Sequence, residues 1–378
     1  MSGTLVVALI AAAGVVAFVG IIFLLWYCLF RKSISRTSET NSSDPSIQAG
    51  GNVELSGGVS YPSGLQGARS FSLEELNLAT KNFSSVNLIG YGRFGEVYKG
   101  LLQDGMIVAI KSRQAAPSRE FVEEVRNLST IRHRNLVSLL GFCQEKDLQM
   151  LVYEYIPNGS VSSHLYGANQ MSSEKLEFKN RLTIAHSAAK GLAHLHGFDP
   201  PVIHKNFKTA NVLVDEDFIP KVADAGLRNL MERIGGASST SQMMVDDIFI
   251  DPEVKHSGTF YAKSDVYSFG VFLLELVSGR DARADQSLIA KVQNYQDPST
   301  ISSLVDSRMG SSFTTEGMKE FLRLAFWCLN TSSERRPPMS FIVLELNRIH
   351  EKEISLTTVM GEGTPTVLLG SQLFTAAR

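Results

Sequence analysis

Hydrophobic periodicity changes once along this chain, at Pro157-Asn158-Gly159. Before that turn the apolar residues come in short β-branched runs broken by glycine: "NLIGYG", "GEVYKG", "MIVAIKS", "LVSLLGFC" and "LQMLVYEYI". Runs of this length between turn residues read as strands, and Asp104-Gly105 supplies a tight turn between two of them. After Gly159 the spacing is mostly helical to about His350. An α+β chain is therefore expected, with a small β-rich lobe and a larger helical lobe joined near Glu154 to Pro157. Ligands prefer the cleft between two such bodies. Two helices are expected inside the β-rich part. "FSLEELNLATKNF" spaces its apolar residues helically, with Ser72 and Glu75 placed as a capping box. "SREFVEEVRNLSTI" is amphipathic.

The stretch before Phe71 follows different rules. No charged residue occurs from Leu5 to Phe30, and about 20 apolar residues suffice to span a bilayer. Residues 1–4 carry no basic side chain, and the run is longer than the apolar core of a cleaved signal. Residues 5–30 are thus expected to form a transmembrane helix, with 1–4 outside and no ectodomain. Arg31, Lys32 and Arg36 follow at once, which places the remainder in the cytoplasm. Residues 31–70 are rich in Ser, Thr, Gly and Asn and are expected to be a disordered juxtamembrane linker. Residues 351–378, polar and punctuated by Gly and Thr, are expected to be a loose tail.

Charge and cysteine content exclude some functions. A formal net charge of −2 gives no sign of nucleic-acid binding. Cys28, Cys143 and Cys328 lie far apart, without zinc-ligand spacing or a disulfide framework.

The chemistry begins with "IGYGRFGEV", which supplies Gly90, Gly92 and Gly95 and then Val97. Glycine lets a backbone approach phosphate closely. Alone this pattern also fits a dinucleotide fingerprint, but here it lies between strands instead of opening a helix. Lys111 ends "VAIK" and suits a point charge on phosphates. It needs an anion to hold it, and Glu124 on the next helix is the expected partner. Asn211 and Asp224 have the spacing of two magnesium ligands.

With these residues in place, 71–350 resembles a protein kinase domain. More narrowly it resembles plant receptor-like kinases of the Pelle/interleukin-receptor-associated type, through "FSLEELNLATKNFSSVNLIGYGRFGEVYKG", "HRNLVSLLGFC", "LVYEYIPNGSV", "SDVYSFGVFLLELVSGR" and "RRPPM". The resemblance implies a two-lobed protein kinase fold, with an N-lobe at 71–156 and a C-lobe at 157–350, and ATP and Mg²⁺ as cofactors. It implies that Ile89 and the glycines cover the nucleotide and that Val97, Ala109 and Leu213 sandwich the adenine. Tyr153 becomes the gatekeeper, with Glu154 and Tyr155 the hinge. Asp265 is expected to brace the catalytic loop, and Glu253 to pair with Arg336.

The transfer half departs from that family pattern. The loop that should read His-Arg-Asp reads His204-Lys205-Asn206. A neutral amide cannot accept the substrate proton, and general-base assistance is typically worth about 10²- to 10⁴-fold. Lys208 remains. Lys205 keeps a charge but loses the bidentate fork of arginine. Asp-Phe-Gly has become Asp224-Ala225-Gly226, which removes a ring unless Leu128 or Leu139 shifts into its space. The family's Gly-Thr-x-Gly-Tyr is Val245-Asp246-Asp247-Ile248-Phe249. The expectation is a single-pass plasma-membrane pseudokinase that binds Mg-ATP and associates with other membrane receptor kinases or cytoplasmic signalling proteins. The alternatives are a weakly active serine/threonine kinase and a purely structural domain that binds no nucleotide.

Overall fold

The computed structural model describes residues 67–166, 176–235, 247–292, 297–310 and 313–358. The expected transmembrane helix, nearly all of the linker, Val245 and Asp246 lie outside the described residues. Among the described residues no helix is long and apolar enough to cross a membrane.

The β-rich part forms one sheet of six strands: β1 (Arg69–Ser70), β2 (Leu88–Tyr91), β3 (Glu96–Leu101), β4 (Ile107–Gln114), β5 (Leu139–Glu145) and β6 (Leu148–Glu154). Their order is β1-β5-β6-β4-β3-β2. Every pairing is antiparallel except the short parallel pairing of β1 with β5. The predicted turn at Asp104-Gly105 is present. Gly105 has φ 85°, and Asp104 Oδ1 accepts from Met106 N at 2.9 Å.

Strand period decides which side chains reach the cleft. On β4, Val108 and Ile110 are fully buried in a small core with Phe71, Leu76, Met150 and Val152. Ala109 and Lys111 therefore project from the opposite face. Register sets Lys111 opposite Val97, and Ala109 opposite Tyr153.

Two helices flank the sheet: α1 (Leu73–Thr80) and α2 (Arg119–Ser129). Half of the expected capping box forms at α1. Ser72 Oγ accepts from Glu75 N at 3.1 Å, but the Glu75 carboxylate turns outward to Arg69 at 2.6 Å. Helix α2 starts on Ser118, whose Oγ accepts from Phe121 N at 3.2 Å, and buries Phe121, Glu124, Val125 and Leu128.

The second part contains α3 (Val161–Tyr166), α4 (Phe178–His196), a hairpin of β7 (Val212–Val214) and β8 (Pro220–Val222), α5 (Leu227–Gly235), α6 (Pro252–Ser257), α7 (Ala262–Ser278), α8 (Ser287–Val292), α9 (Pro298–Leu304), α10 (Thr315–Cys328) and α11 (Met339–Thr358). Helix α11 runs eight residues into the stretch expected to be a loose tail. Helix α7 is the centre of this lobe, and its residues from Ser264 through Ser278 are buried without a break. It meets Phe207 of the loop before β7 through Phe269 and Phe272, at ring-centroid distances of 5.8 and 5.3 Å. That contact anchors the chain one residue beyond Asn206.

The C-terminal anchor differs from expectation. Arg336 is completely buried and makes a two-pronged contact with Asp251, at 2.5 and 2.8 Å, not with Glu253. Glu253 instead accepts from Tyr261 Oη at 2.5 Å and Ser333 N at 2.8 Å. Those bonds hold its carboxyl well down, at about 2. The planar fork of arginine matches the nearer, deeper carboxylate.

Candidate functional site

The loop that carries Asn206 is held by a single carboxylate from α7. Asp265 accepts from His204 N at 2.8 Å and Lys205 N at 2.9 Å, and its Oδ2 lies 2.8 Å from His196 Nε2. The bracing expected of Asp265 is present. Lys205 takes a left-handed conformation, φ 61°, to bring both N–H groups onto it. The His204 ring then bridges to the second strand of the hairpin. Its Nε2 donates to Ala223 O at 2.9 Å, and its Nδ1 accepts from Asn206 N at 3.3 Å. Asn206 is thus presented at a fixed place by side chains that bond the loop's backbone. Its carbonyl accepts from Asn211 Nδ2 at 2.9 Å, which leaves Asn211 Oδ1 as the atom able to face a metal.

Asp224 follows β8 in a left-handed conformation, φ 65°. Its Oδ1 takes the ammonium of Lys111 directly. This corrects the pairing expected from the sequence. Glu124 does not meet Lys111; Glu124 Oε2 accepts from Arg233 Nη1 at 2.7 Å. Arg233 lies on α5, the helix that begins one residue after Gly226 and packs against α2. Pairing the β4 lysine with the metal-side aspartate leaves each charge neutralised by the other, side chains 14% exposed.

Core residues pack around Ala225 and Gly226. A Cβ added to Gly226 would lie 2.2 Å from Leu128 Cδ2, so Leu128 sits directly on the glycine beside Ala225. Leu128, Leu139 and Leu227 are buried in the same core, with Ala225 packed against it. Of the two leucines that could shift into the ring's space, Leu128 is the one against Gly226.

The roof and back of the cleft follow. Gly92 and Gly95 close a turn on each other, Gly92 N to Gly95 O at 2.8 Å and Gly95 N to Gly92 O at 3.2 Å. A Cβ on Gly95, φ 143°, would lie 1.9 Å from Ser112 O, so only glycine fits there. Gly90 faces open space, and Ile89 is exposed. Phe94 at the tip of this turn is buried and stacks on Phe121 of α2, with centroids 6.4 Å apart, while Arg113 covers its other side at 5.2 Å. Tyr153 is buried at the back. Burial first, and the Asp224 charge second, push its phenol far above the ordinary value.

Glu154 and Tyr155, the residues expected at the hinge, have partners within the protein. Glu154 accepts from Ser138 N at 2.7 Å and from Lys221 Nζ at 2.9 Å, and the Tyr155 ring lies under Lys99 Nζ at 4.5 Å. Val97, Ala109 and Leu213 are half-buried on β3, β4 and β7. Lys208 stands half-buried two residues after Asn206.

Arg233 and Phe94 were missed in the sequence. The signal for Arg233 was available: Leu227, Leu230, Met231 and Ile234 recur at helical spacing just after the Asp-Ala-Gly turn. An arginine on the polar side of such a helix has a reachable carboxylate in Glu124. Phe94 gave no signal, because an aromatic at a glycine-turn tip reads as solvent-facing.

Comparisons with known proteins agree with this geometry. Residues 83–346 match the profile of a family described as protein tyrosine and serine/threonine kinase. A probable leucine-rich repeat receptor-like protein kinase of Arabidopsis thaliana, At5g49770, is 40% identical over 295 residues, 75% of this chain and 31% of that protein. The probable serine/threonine-protein kinase PBL21 of Arabidopsis thaliana is 38% identical over 307 residues, 78% of this chain and 80% of that protein. The chain thus spans about a third of the receptor-length relative and most of the shorter one. The pseudokinase domain of BIR2, titled an immune regulator of the RLK/Pelle family, superposes with a TM-score of 0.63 at 33% identity, covering 74% of this chain and 86% of that one.

Proposed function

This chain belongs to the protein kinase family, in its plant receptor-like branch, and from that membership we propose that it is a membrane-anchored pseudokinase. It binds Mg-ATP, transfers phosphate poorly or not at all, and signals by associating with other receptor kinases at the plasma membrane. The observation that carries this reading is Asn206. It occupies a loop fixed by Asp265, in the place of a general base, and offers an amide. The apolar run of residues 5–30, followed at once by Arg31 and Lys32, supports the anchor.

The residues present fit a magnesium nucleotide. Phosphate would take Lys111, and metal would take Asp224 and Asn211, hard oxygen donors of the kind magnesium prefers when phosphates complete its shell. Gly90 and Gly92 place no side chain over the cleft. Mg-ATP, if bound, would supply phosphate charge for Lys111 and metal charge for Asp224, the two groups that now pair with each other. The chain's own residues then bind and orient it, without a carboxylate at 206 to receive a proton.

The test is a paired measurement on the full chain. Thermal stabilisation by Mg-ATP is expected, and phosphate transfer is expected to be absent or very slow. Transfer that disappears in Lys111→Met, with contaminating kinases excluded, would sink the pseudokinase reading and favour a weak serine/threonine kinase. No stabilisation at millimolar nucleotide would remove ATP binding from it.

A further inference from the structure

Three helix ends enclose a recess of 270 Å³: the last turn of α4 and the first turns of α7 and α11. None of its lining residues belongs to the nucleotide cleft. Ala193, Ala262, Val266 and Met339 make its walls largely apolar. Sites for drug-sized ligands begin at roughly 300 Å³, so this one suits a smaller molecule, about one ring with short arms.

One pole of the recess is cationic. Lys263 donates from its ammonium to Arg336 O, and Arg336 Nη1 returns a bond to Lys263 O at 3.0 Å. The charge of Arg336 is spent on Asp251, whereas the Lys263 ammonium meets no carboxylate among the described residues. Its bond to Arg336 O sets that ammonium at the entry to α11. There Met339 and Ser340 line the recess, and their N–H groups have no acceptor within the helix. Phe341 N and Ile342 N are the first to bond, onto Pro338 O at 3.1 and 3.2 Å. An anion is favoured at such a helix start.

The α4 wall offers the opposite polarity. His196 is nine-tenths buried, and its Nε2 donates to Asp265 Oδ2 at 2.8 Å. Its Nδ1 has no hydrogen-bond partner among the described residues. A neutral imidazole that donates from one nitrogen accepts at the other, and the carboxylate beside it strengthens that acceptor. Asp265 is also the group that holds His204 N and Lys205 N, so the recess borders the support of the Asn206 loop.

We propose that this recess binds a small hydroxylated aromatic carboxylate. Its carboxylate lies on Lys263 and the start of α11, its ring against Val266 and Met339, and its hydroxyl donates to His196 Nδ1. A buried acceptor left unpaired is costly, and the hydroxyl pairs it. An aliphatic chain of equal volume would freeze more rotatable bonds to make the same three contacts, so a ring is favoured. The inference stands apart from the pseudokinase reading, because it needs neither nucleotide nor transfer.

The experiment uses the full chain in lipid nanodiscs and three probes of one shape: para-hydroxyphenylacetate, phenylacetate and the uncharged alcohol tyrosol. Affinities come from saturation-transfer NMR titrations. The hydroxylated acid is expected to bind at least about tenfold more tightly than tyrosol, the worth of one charge-assisted bond. It is expected to bind several-fold more tightly than phenylacetate, which lacks the donor for His196. Lys263→Met is expected to erase the preference over tyrosol. Ser340→Trp, at an exposed position lining the recess, is expected to abolish binding in a variant whose folding is not in question. Equal binding of the acid and the alcohol overturns the proposal, as does equal binding of phenylacetate, or an affinity unchanged in both variants. Absence of saturation transfer to any of the three probes at millimolar concentration overturns it as well.

Discussion

Arg233 holds Glu124, and so withholds it from Lys111. The carboxylate on α2 is nine-tenths buried, its partner arginine is more than half exposed, and they meet at 2.7 Å. The pair fixes α5 against α2 and leaves Lys111 to Asp224.

Removing the holder should release the site. Arg233→Ala is expected to change stability by less than about 1 kcal/mol, because the arginine is largely solvated. It is expected to tighten Mg-ATP binding by several-fold, since a larger share of molecules becomes competent to bind. Calorimetric titration of the variant checks this. Adding Glu124→Gln should cancel the gain; a gain that survives would show that Glu124 is not the group released.

Leu128 packs on Gly226, beside the alanine that stands where the family pattern has phenylalanine. Leu128→Ala is expected to cost about 2–5 kcal/mol, as for other buried leucines. Ala225→Phe alone overpacks the same space and is expected to cost about 1–3 kcal/mol. The double variant should lose clearly less than the sum, because the new ring fills the volume the leucine leaves. Urea unfolding of the four proteins in the cycle measures it, and strict additivity would deny that the two side chains share that space.

Asp251 and Arg336 are both fully buried and satisfy each other. Breaking one member, as in Arg336→Met, is expected to cost about 3–5 kcal/mol, because the partner charge is stranded. Asp251→Ala should be much more harmful than Glu253→Ala, although Glu253 was the partner of Arg336 expected from the sequence. Comparing the midpoints of chemical denaturation decides between the two.

Glu275 should make stability depend on pH near neutrality. Burial raises its carboxyl from the ordinary 4.5 to about 7, against hydrogen bonds from Thr209 and Ala282 N that pull the other way. A folded-state pKa above the unfolded value means that the native protein keeps a proton that the unfolded chain releases. This stabilising share is fully present below about 4.5 and is lost as pH rises through about 7. Melting temperatures are expected to fall over that window and level off above it. In Glu275→Gln the slope should shrink; an unchanged slope would place its origin elsewhere.

Most of the fold was legible because it rests on period. The five β-branched runs became β2 to β6, and the change of spacing at Gly159 marked the lobe boundary. The loop geometry around Asn206 was legible because one motif residue, Asp265, organises it. Three pairings were not. Lys111 with Asp224 and Arg336 with Asp251 each exchange one carboxylate for another, and Glu124 with Arg233 exchanges one cation for another. Composition and spacing say that a lysine needs an anion, but choosing among nearby acids depends on where α5 and α6 settle, which tertiary packing decides. The half-formed capping box at Ser72 shows the same limit, since Glu75 had an arginine within reach.

Asparagine and aspartate codons differ by a single A-to-G transition. Asp265 grips this loop through the N–H groups of residues 204 and 205, so either side chain at 206 is delivered to the same spot. In a population of such genes the charged form is one mutational step away, and the scaffold resists neither direction. A single base change can therefore exchange an amide for a carboxylate at this position without rebuilding the loop that carries it.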